Sequence, residues 1–125
     1  IAKAILRGAL ARDECRGAHY KPAFEMPGID TQDPADRRRQ AEKWCDAFEE
    51  KNRKWLKSTI ATFDKSGEPT LTYEEVDTSL IPPRPRLYGL VGAEVIEEVW
   101  KERTAGAKDS ANGAKVGGAS AVAAS

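Results

Sequence analysis

Arg12-Asp13-Glu14-Cys15-Arg16-Gly17-Ala18-His19-Tyr20-Lys21-Pro22 is the stretch on which the reading of the whole chain turns. It gathers five charged side chains and the only histidine into a run that ends at a proline. Helical periodicity leads into it, and irregular or extended chain follows. Upstream, Ile5, Ala9 and Arg12 share one stripe, with Leu6 and Leu10 beside it at i, i+4 spacing. That pattern predicts an amphipathic helix over 1–14. Alanines at 2, 4, 9 and 11 favour it. Gly8 weakens it and is read as a close helix–helix contact. Gly17 is read as its terminator, because glycine accepts the left-handed conformation past a helix end. Such a helix is marginal alone and needs partners. The chain opens at Ile1 with the pattern already running and no capping side chain ahead. It is therefore read as a helix cut midway, in a piece of a longer protein.

Downstream, Tyr20 to Gln32 reads as loop, punctuated by Pro22, Pro27 and Gly28, with Phe24, Met26 and Ile29 as apolar anchors. Asp33 is a good N-cap, Pro34 suits the first helical position and Asp36 the first turn, so a second helix is predicted from Asp33 to about Asn52. Its apolar face is Ala41, Trp44, Cys45 and Phe48. Arg37, Arg38 and Arg39 resemble a nucleic-acid patch, but Glu42, Asp46, Glu49 and Glu50 lie near enough to offset them, and a solvated helix face is the simpler reading. Lys57 to Phe63 and Thr70 to Tyr73 alternate as strands around the turn-forming Asp64-Lys65-Ser66-Gly67-Glu68-Pro69, which predicts a β-hairpin. Pro82, Pro83 and Pro85 then forbid helix, and Glu74 to Tyr88 is read as an extended strap across the protein's own surface rather than a polyproline recognition segment. A third helix is predicted over Leu90–Arg103, with Val95, Ile96, Val99 and Trp100 needing a partner in a parent protein, another subunit or a second copy. Residues 104–125, rich in Ala, Gly and Ser, are expected to be disordered.

Composition narrows the function. Lys plus Arg equals Asp plus Glu at 20 each, so no net field argues for nucleic acid or an anionic membrane surface. No apolar run approaches the ~20 residues of a membrane helix, and no signal peptide is evident. Cys15 and Cys45 lack metal-ligand spacing and are read as reduced, cytosolic thiols. One histidine supports neither a metal cluster nor an evident Ser-His-Asp triad. Gly113 to Gly118 follow no strand and open no helix, so they form no dinucleotide fingerprint. Only Glu14, Arg16 and His19 look like a site. Arginine can clamp a carboxylate and histidine titrates near neutrality. Against that stands a structural staple, with Arg16 paired to Glu14 and His19 donating to a carbonyl. Polar clusters at helix ends are more often of this second kind.

Four blocks in order over residues 1–88 carry a resemblance. Arg12-Asp13-Glu14-Cys15-Arg16-Gly17-Ala18-His19 resembles the R-x-E-S-R-G-A-H motif near the C-terminus of succinate dehydrogenase and fumarate reductase flavoprotein subunits, with Cys15 where those proteins usually carry Ser. Trp55-Leu56-Lys57-Ser58-Thr59 resembles W-L-K-H-T with Ser58 for His, Thr70-Leu71-Thr72-Tyr73 with Val76 resembles the following strand, and Ile81-Pro82-Pro83-Arg84-Pro85-Arg86-Leu87-Tyr88 resembles the P-P-x-x-R-x-Y ending. The stretch between Phe24 and Trp55 is longer than in compact members, so the second helix is read as an insertion. The resemblance implies a mainly α fold: the end of a spectrin-repeat-like helical bundle, a small β-hairpin and an extended C-terminal strap. Residues 1–88 would be that C-terminal domain and 89–103 an additional helix.

The resemblance also implies a parent enzyme that interconverts succinate and fumarate by hydride transfer to FAD. That enzyme passes electrons to an iron–sulfur subunit and a membrane anchor, at the cytoplasmic face of a bacterial inner membrane. The flavin-attaching, substrate-binding and catalytic residues would lie upstream, so this chain is expected to hold no catalytic residue, cofactor or metal. Arg12, Glu14, Cys15, Arg16, Gly17, Ala18, His19, Trp55, Arg86 and Tyr88 are the motif positions expected to contact the FAD-binding domain. Two alternatives stand beside this reading: the similar domain of L-aspartate oxidase, whose motif usually reads R-G-L-H where this chain has Ala18, and a free-standing interaction module.

Overall fold

A computed structural model describes the backbone of residues 1–120 and the side chains of residues 1–109. Three α-helices and one hairpin follow in the order α1 (Ala2–Ala11), α2 (Pro34–Trp55), β1 (Lys57–Phe63), β2 (Pro69–Glu75) and α3 (Ala93–Ser120), with a 3-10 turn at Pro22–Phe24. The described chain is mainly α with a small antiparallel hairpin, as expected. It divides into two compact units. One comprises Ile1–Pro27 and Asp46–Arg86, the other Gly28–Cys45 and the chain from Leu87 on.

In the first unit, β1 and β2 pair from Lys57↔Glu75 to Phe63↔Pro69. The connecting turn works as its residues suggest. The Asp64 carboxylate accepts from the Ser66 N–H at 2.7 Å and from the Ser66 hydroxyl, and Gly67 takes the positive φ of 75° the reversal needs. At Gly8 of α1 the nearest neighbour a side chain would meet is Thr59 Cγ2 of β1, at 4.0 Å, so this glycine faces a strand and not a second helix. Lys3 and Arg7 reach Glu68 in the hairpin turn at 2.7 and 3.1 Å. These pairs are half exposed and worth little individually. No residue of α1 is buried.

Two expectations about the first helix are corrected. It stops at Ala11, and Arg12 is already extended at φ −86°, ψ 102°. Gly17 therefore does not end it. With φ 60°, Gly17 opens a two-residue reversal in which Arg16 and His19 exchange backbone hydrogen bonds at 2.9 and 3.0 Å. The charged run is a turn of its own because Arg12 and Arg16 have tertiary partners that a continued helix would deny them.

In the second unit, Asp33 caps α2 as expected: its carboxylate accepts from the Asp36 N–H at 2.9 Å, and its carbonyl takes the first helical bond from Arg37 at 2.8 Å. Ile29, Ala41, Cys45, Ile96 and Val99 form a closed apolar cluster, flanked by Trp44, Leu87, Leu90, Val95 and Trp100. The third-helix stripe thus finds its partner in this same chain, not in another subunit or copy. Arg37 pairs with Glu94, and Arg38 with both Glu42 and Glu102. Arg39 pairs with Asp36, so the arginines are matched, as expected, half from within α2 and half from α3. Loop and helix start interlock: the Ile29 N–H donates to Val91 O at 2.7 Å, and a Cβ on Gly92 would stand 2.7 Å from Ile29 Cβ.

α3 begins at Ala93, three residues after the expected Leu90, and continues to Ser120. The expected end at Arg103 and disorder from Thr104 are replaced over 104–120 by helical backbone, since no proline interrupts the alanine-rich run. Residues 121–125 lie outside the described residues. The proline segment is extended, as expected: Pro83, Pro85 and Leu87 are partly buried, while Leu80, Ile81 and Tyr88 are 93, 84 and 93% exposed.

Candidate functional site

The charged motif becomes a buried junction where three backbone ends meet in the first unit. α2 ends at Trp55, leaving carbonyls without helical partners. Arg12 supplies one: its Nη1 donates to Trp55 O at 2.7 Å, and its Nη2 donates to Lys57 O at 2.9 Å and Thr59 Oγ1 at 3.0 Å. A guanidinium there also complements the negative end of the helix dipole. The same group lies 5.5 Å from the Trp55 ring centroid, and Trp55 meets Tyr73 edge-to-face at 5.9 Å. One side chain thus ties the end of α2 to the start of β1.

Glu14 answers that charge from full burial, at 1% exposure. Its Oε1 accepts from Arg12 Nη1 at 2.5 Å, and Arg16 Nε donates to both carboxylate oxygens at 3.2 and 3.0 Å. Arg16 Nη2 extends the net to Asn52 Oδ1 at 2.8 Å. Two guanidiniums hold one carboxylate, which is the arrangement that makes burying a charge tolerable. Both carboxylate oxygens of Glu14 are thus engaged within the junction.

The end of α1 is closed from the other side of the turn. His19 Nε2 lies 2.9 Å from Arg12 O; a carbonyl can only accept, so Nε2 carries the proton and donates. Lys21 Nζ donates to Leu10 O at 2.6 Å and pairs with Asp13 at 2.9 Å. Cys15 Sγ donates to Lys21 O at 3.2 Å and accepts from the Lys21 N–H at 3.4 Å, so the thiol fills both roles a serine hydroxyl would. Lys51 Nζ donates to Cys15 O at 3.3 Å. Burial first, and then the charge of Arg16, lower the proton affinity of Lys51, while Glu14 and Cys15 act the other way.

Seven expected positions therefore come together in this unit: Arg12, Glu14, Cys15, Arg16, Gly17, His19 and Trp55, with Ala18 at the turn tip. Arg86 and Tyr88 do not join them; both are exposed. Asn52, Thr59 and Lys51 are participants that sequence reading missed. They contact the motif from 36 to 47 residues away, and no local pattern signals them. Among the described residues, no group of His, Cys, Asp and Glu is arranged to hold a metal ion, and no helix is long and apolar enough to cross a membrane.

Comparison with known proteins then places the chain. Residues 1–88 match the family model described as fumarate reductase flavoprotein C-term. The chain is 35% identical over 89 residues to the succinate dehydrogenase flavoprotein subunit of Bacillus subtilis, covering 70% of this chain and 11% of that protein. It is 27% identical over 113 residues to the fumarate reductase flavoprotein subunit of Haemophilus influenzae, covering 90% of this chain and 14% of that protein. No solved structure matches.

Proposed function

Because this chain belongs to the fumarate reductase flavoprotein C-terminal family, we propose that it is the C-terminal part of a subunit that interconverts succinate and fumarate by hydride transfer to FAD. In this reading the subunit passes electrons to an iron–sulfur partner, at a membrane-anchored complex on the cytoplasmic face of a bacterial inner membrane. The chain spans 11 and 14% of the two relatives it matches, so the chemistry would be carried by the rest of such a subunit.

The chain's own role in this proposal is to brace the FAD-binding domain. The observation that carries it is the saturated junction. Arg12, Glu14, Arg16, His19 and Lys21 spend their polar atoms on closing helix ends and on one another. Such a cluster fixes geometry and leaves no base or clamp for a substrate. Nor do these residues fit a flavin. The two strands among the described residues form an antiparallel hairpin, and neither leads through a glycine-rich turn into a helix N-terminus. The flavin of this proposal sits in the remainder of the subunit.

Arg16→Ala in the full subunit tests the role. Removing Arg16 leaves the buried Glu14 carboxylate to Arg12 alone, and breaking a buried ion pair outright costs ~3–5 kcal/mol, which is the upper bound here. The expected result is early melting and loss of flavin with little change in KM for succinate. Full flavin content with a greatly raised KM would overturn the bracing role and move this motif to the substrate site.

A further inference from the structure

Leu80 to Arg86, in the first unit, is an extended stretch whose burial alternates toward its end. Pro83 and Pro85 are partly buried, while Pro82, Arg84 and Arg86 are exposed. Side chains of an extended chain point alternately to opposite sides, and two residues span about 6.4–6.8 Å. Arg84 and Arg86 therefore share the outward side at a spacing that two neighbouring carboxylates can match. Leu80 and Ile81, 93 and 84% exposed, lie just before them. Every other arginine in the sequence donates to a carboxylate or a carbonyl. Arg7 and Arg53 at the surface do so as much as the half-buried Arg12 and Arg16, and so do the remaining arginines of α2 and Arg103. Arg84 and Arg86 have no such acceptor among the described residues.

The prolines limit how this stretch can dock. Pro82, Pro83 and Pro85 carry no N–H, so a strand cannot pair along it, and recognition must run through side chains. Their fixed φ also leaves less freedom to lose on binding. A polyanion is disfavoured as partner. The sequence carries 20 basic and 20 acidic residues, and the exposed Glu74, Glu75 and Asp77 stand just upstream, so the long-range positive field that nucleic acid or an anionic membrane needs is missing. Arginine forks onto carboxylates at short range and is enriched among the residues that dominate protein interfaces. The chemistry that fits is a protein surface with carboxylates beside an apolar hollow.

We propose that Leu80–Arg86 docks on the remainder of the flavoprotein subunit, with Arg84 and Arg86 each gripping a carboxylate and Leu80 and Ile81 filling an apolar hollow beside them. This rests on the reading that the chain is the C-terminal part of such a subunit. The family match includes the segment, and this chain covers 11 and 14% of the two relatives, so a large body of protein lies outside it. A single short segment falls far short of the roughly 20–30 residues a side that a stable interface between separate chains uses. Within one polypeptide the partner is tethered at high effective concentration, and a few strong contacts suffice.

The test uses the full subunit carrying Arg84→Lys or Arg86→Lys, which keeps the charge and supplies an amine. A zero-length carbodiimide joins amines to carboxylates in direct contact, and peptide mass spectrometry locates the bonds. The introduced amines should join aspartates or glutamates upstream of this chain, in a yield roughly tenfold or more above that of the exposed Lys65, the gain of a held pair over chance encounter. Bonds to a second copy, to another chain of the complex, or only to carboxylates within this chain would overturn the proposal. So would a yield no higher than that of Lys65. Bound flavin and succinate–fumarate turnover of the unmodified subunit test the parent reading separately. Their absence would sink that reading whatever the cross-links show, and a loaded, active subunit without the cross-links would sink only the docking.

Discussion

At the residue scale, Glu14 is the side chain on which the junction depends. Its carboxylate is buried between two arginines that also serve Trp55 O, Lys57 O and Asn52. Glu14→Gln keeps the shape and deletes the charge, leaving Arg12 and Arg16 facing each other without compensation. The expected loss is ~3–5 kcal/mol, read as a lowered denaturation midpoint at unchanged slope. A variant within 0.5 kcal/mol of the parent, the ordinary range for surface changes, would show that the junction is replaceable. Much of this was legible in the sequence: Arg16 with Glu14, and His19 with a carbonyl, are pairs that local spacing suggests. Arg12 as the cap of a helix ending 43 residues later was not, because nothing local to Trp55 announces which side chain will meet its carbonyl.

At the element scale, the α3 stripe and the loop at 28–29 depend on each other through close backbone approach. Gly92 holds φ 76°, and any Cβ there would press on Ile29, which is 2% exposed and part of the apolar cluster. Gly92→Ala is therefore strained by conformation and by overpacking, with an expected cost of roughly 1–3 kcal/mol to the second unit. Hydrogen exchange in residues 93–103 would report it, while the hairpin amides of the first unit should be protected as before. Unchanged exchange would mean that loop and helix can separate freely. The apolar stripe of α3 was readable from 3.6-residue periodicity. Its partner was not, because periodicity says that a face must be covered and never by what.

At the scale of the whole molecule, the apolar surface left uncovered is extensive. Ile5, Leu6 and Leu10 of α1 are 65, 70 and 72% exposed, and Leu80, Ile81 and Tyr88 of the proline segment are more so. Contiguous apolar faces of this kind mark surfaces that meet other protein. If the chain braces a larger flavoprotein, Leu10→Glu should barely alter the melting of the chain alone. In the full subunit it should cost about 2–3 kcal/mol, the loss from burying a leucine reversed, together with flavin retention. An equal and small effect in both settings would leave α1 without a partner in that subunit.

What the sequence by itself determined was local. The cap at Asp33, the turn at Asp64–Gly67, the alternation of two strands and the stripes of α2 and α3 each follow from contacts within a few residues, where side-chain type and spacing decide the energy. The order of four motifs along residues 1–88 likewise needed no coordinates to suggest the family. Only the tertiary structure decided that α1 stops at Ala11, that Gly17 serves a turn within the motif, that Arg37 and Arg38 of α2 also reach α3, and that Lys51 lies beside Arg16. Each of these rests on groups brought together across long stretches of chain. Burial then makes charge pairing and desolvation outweigh local propensity.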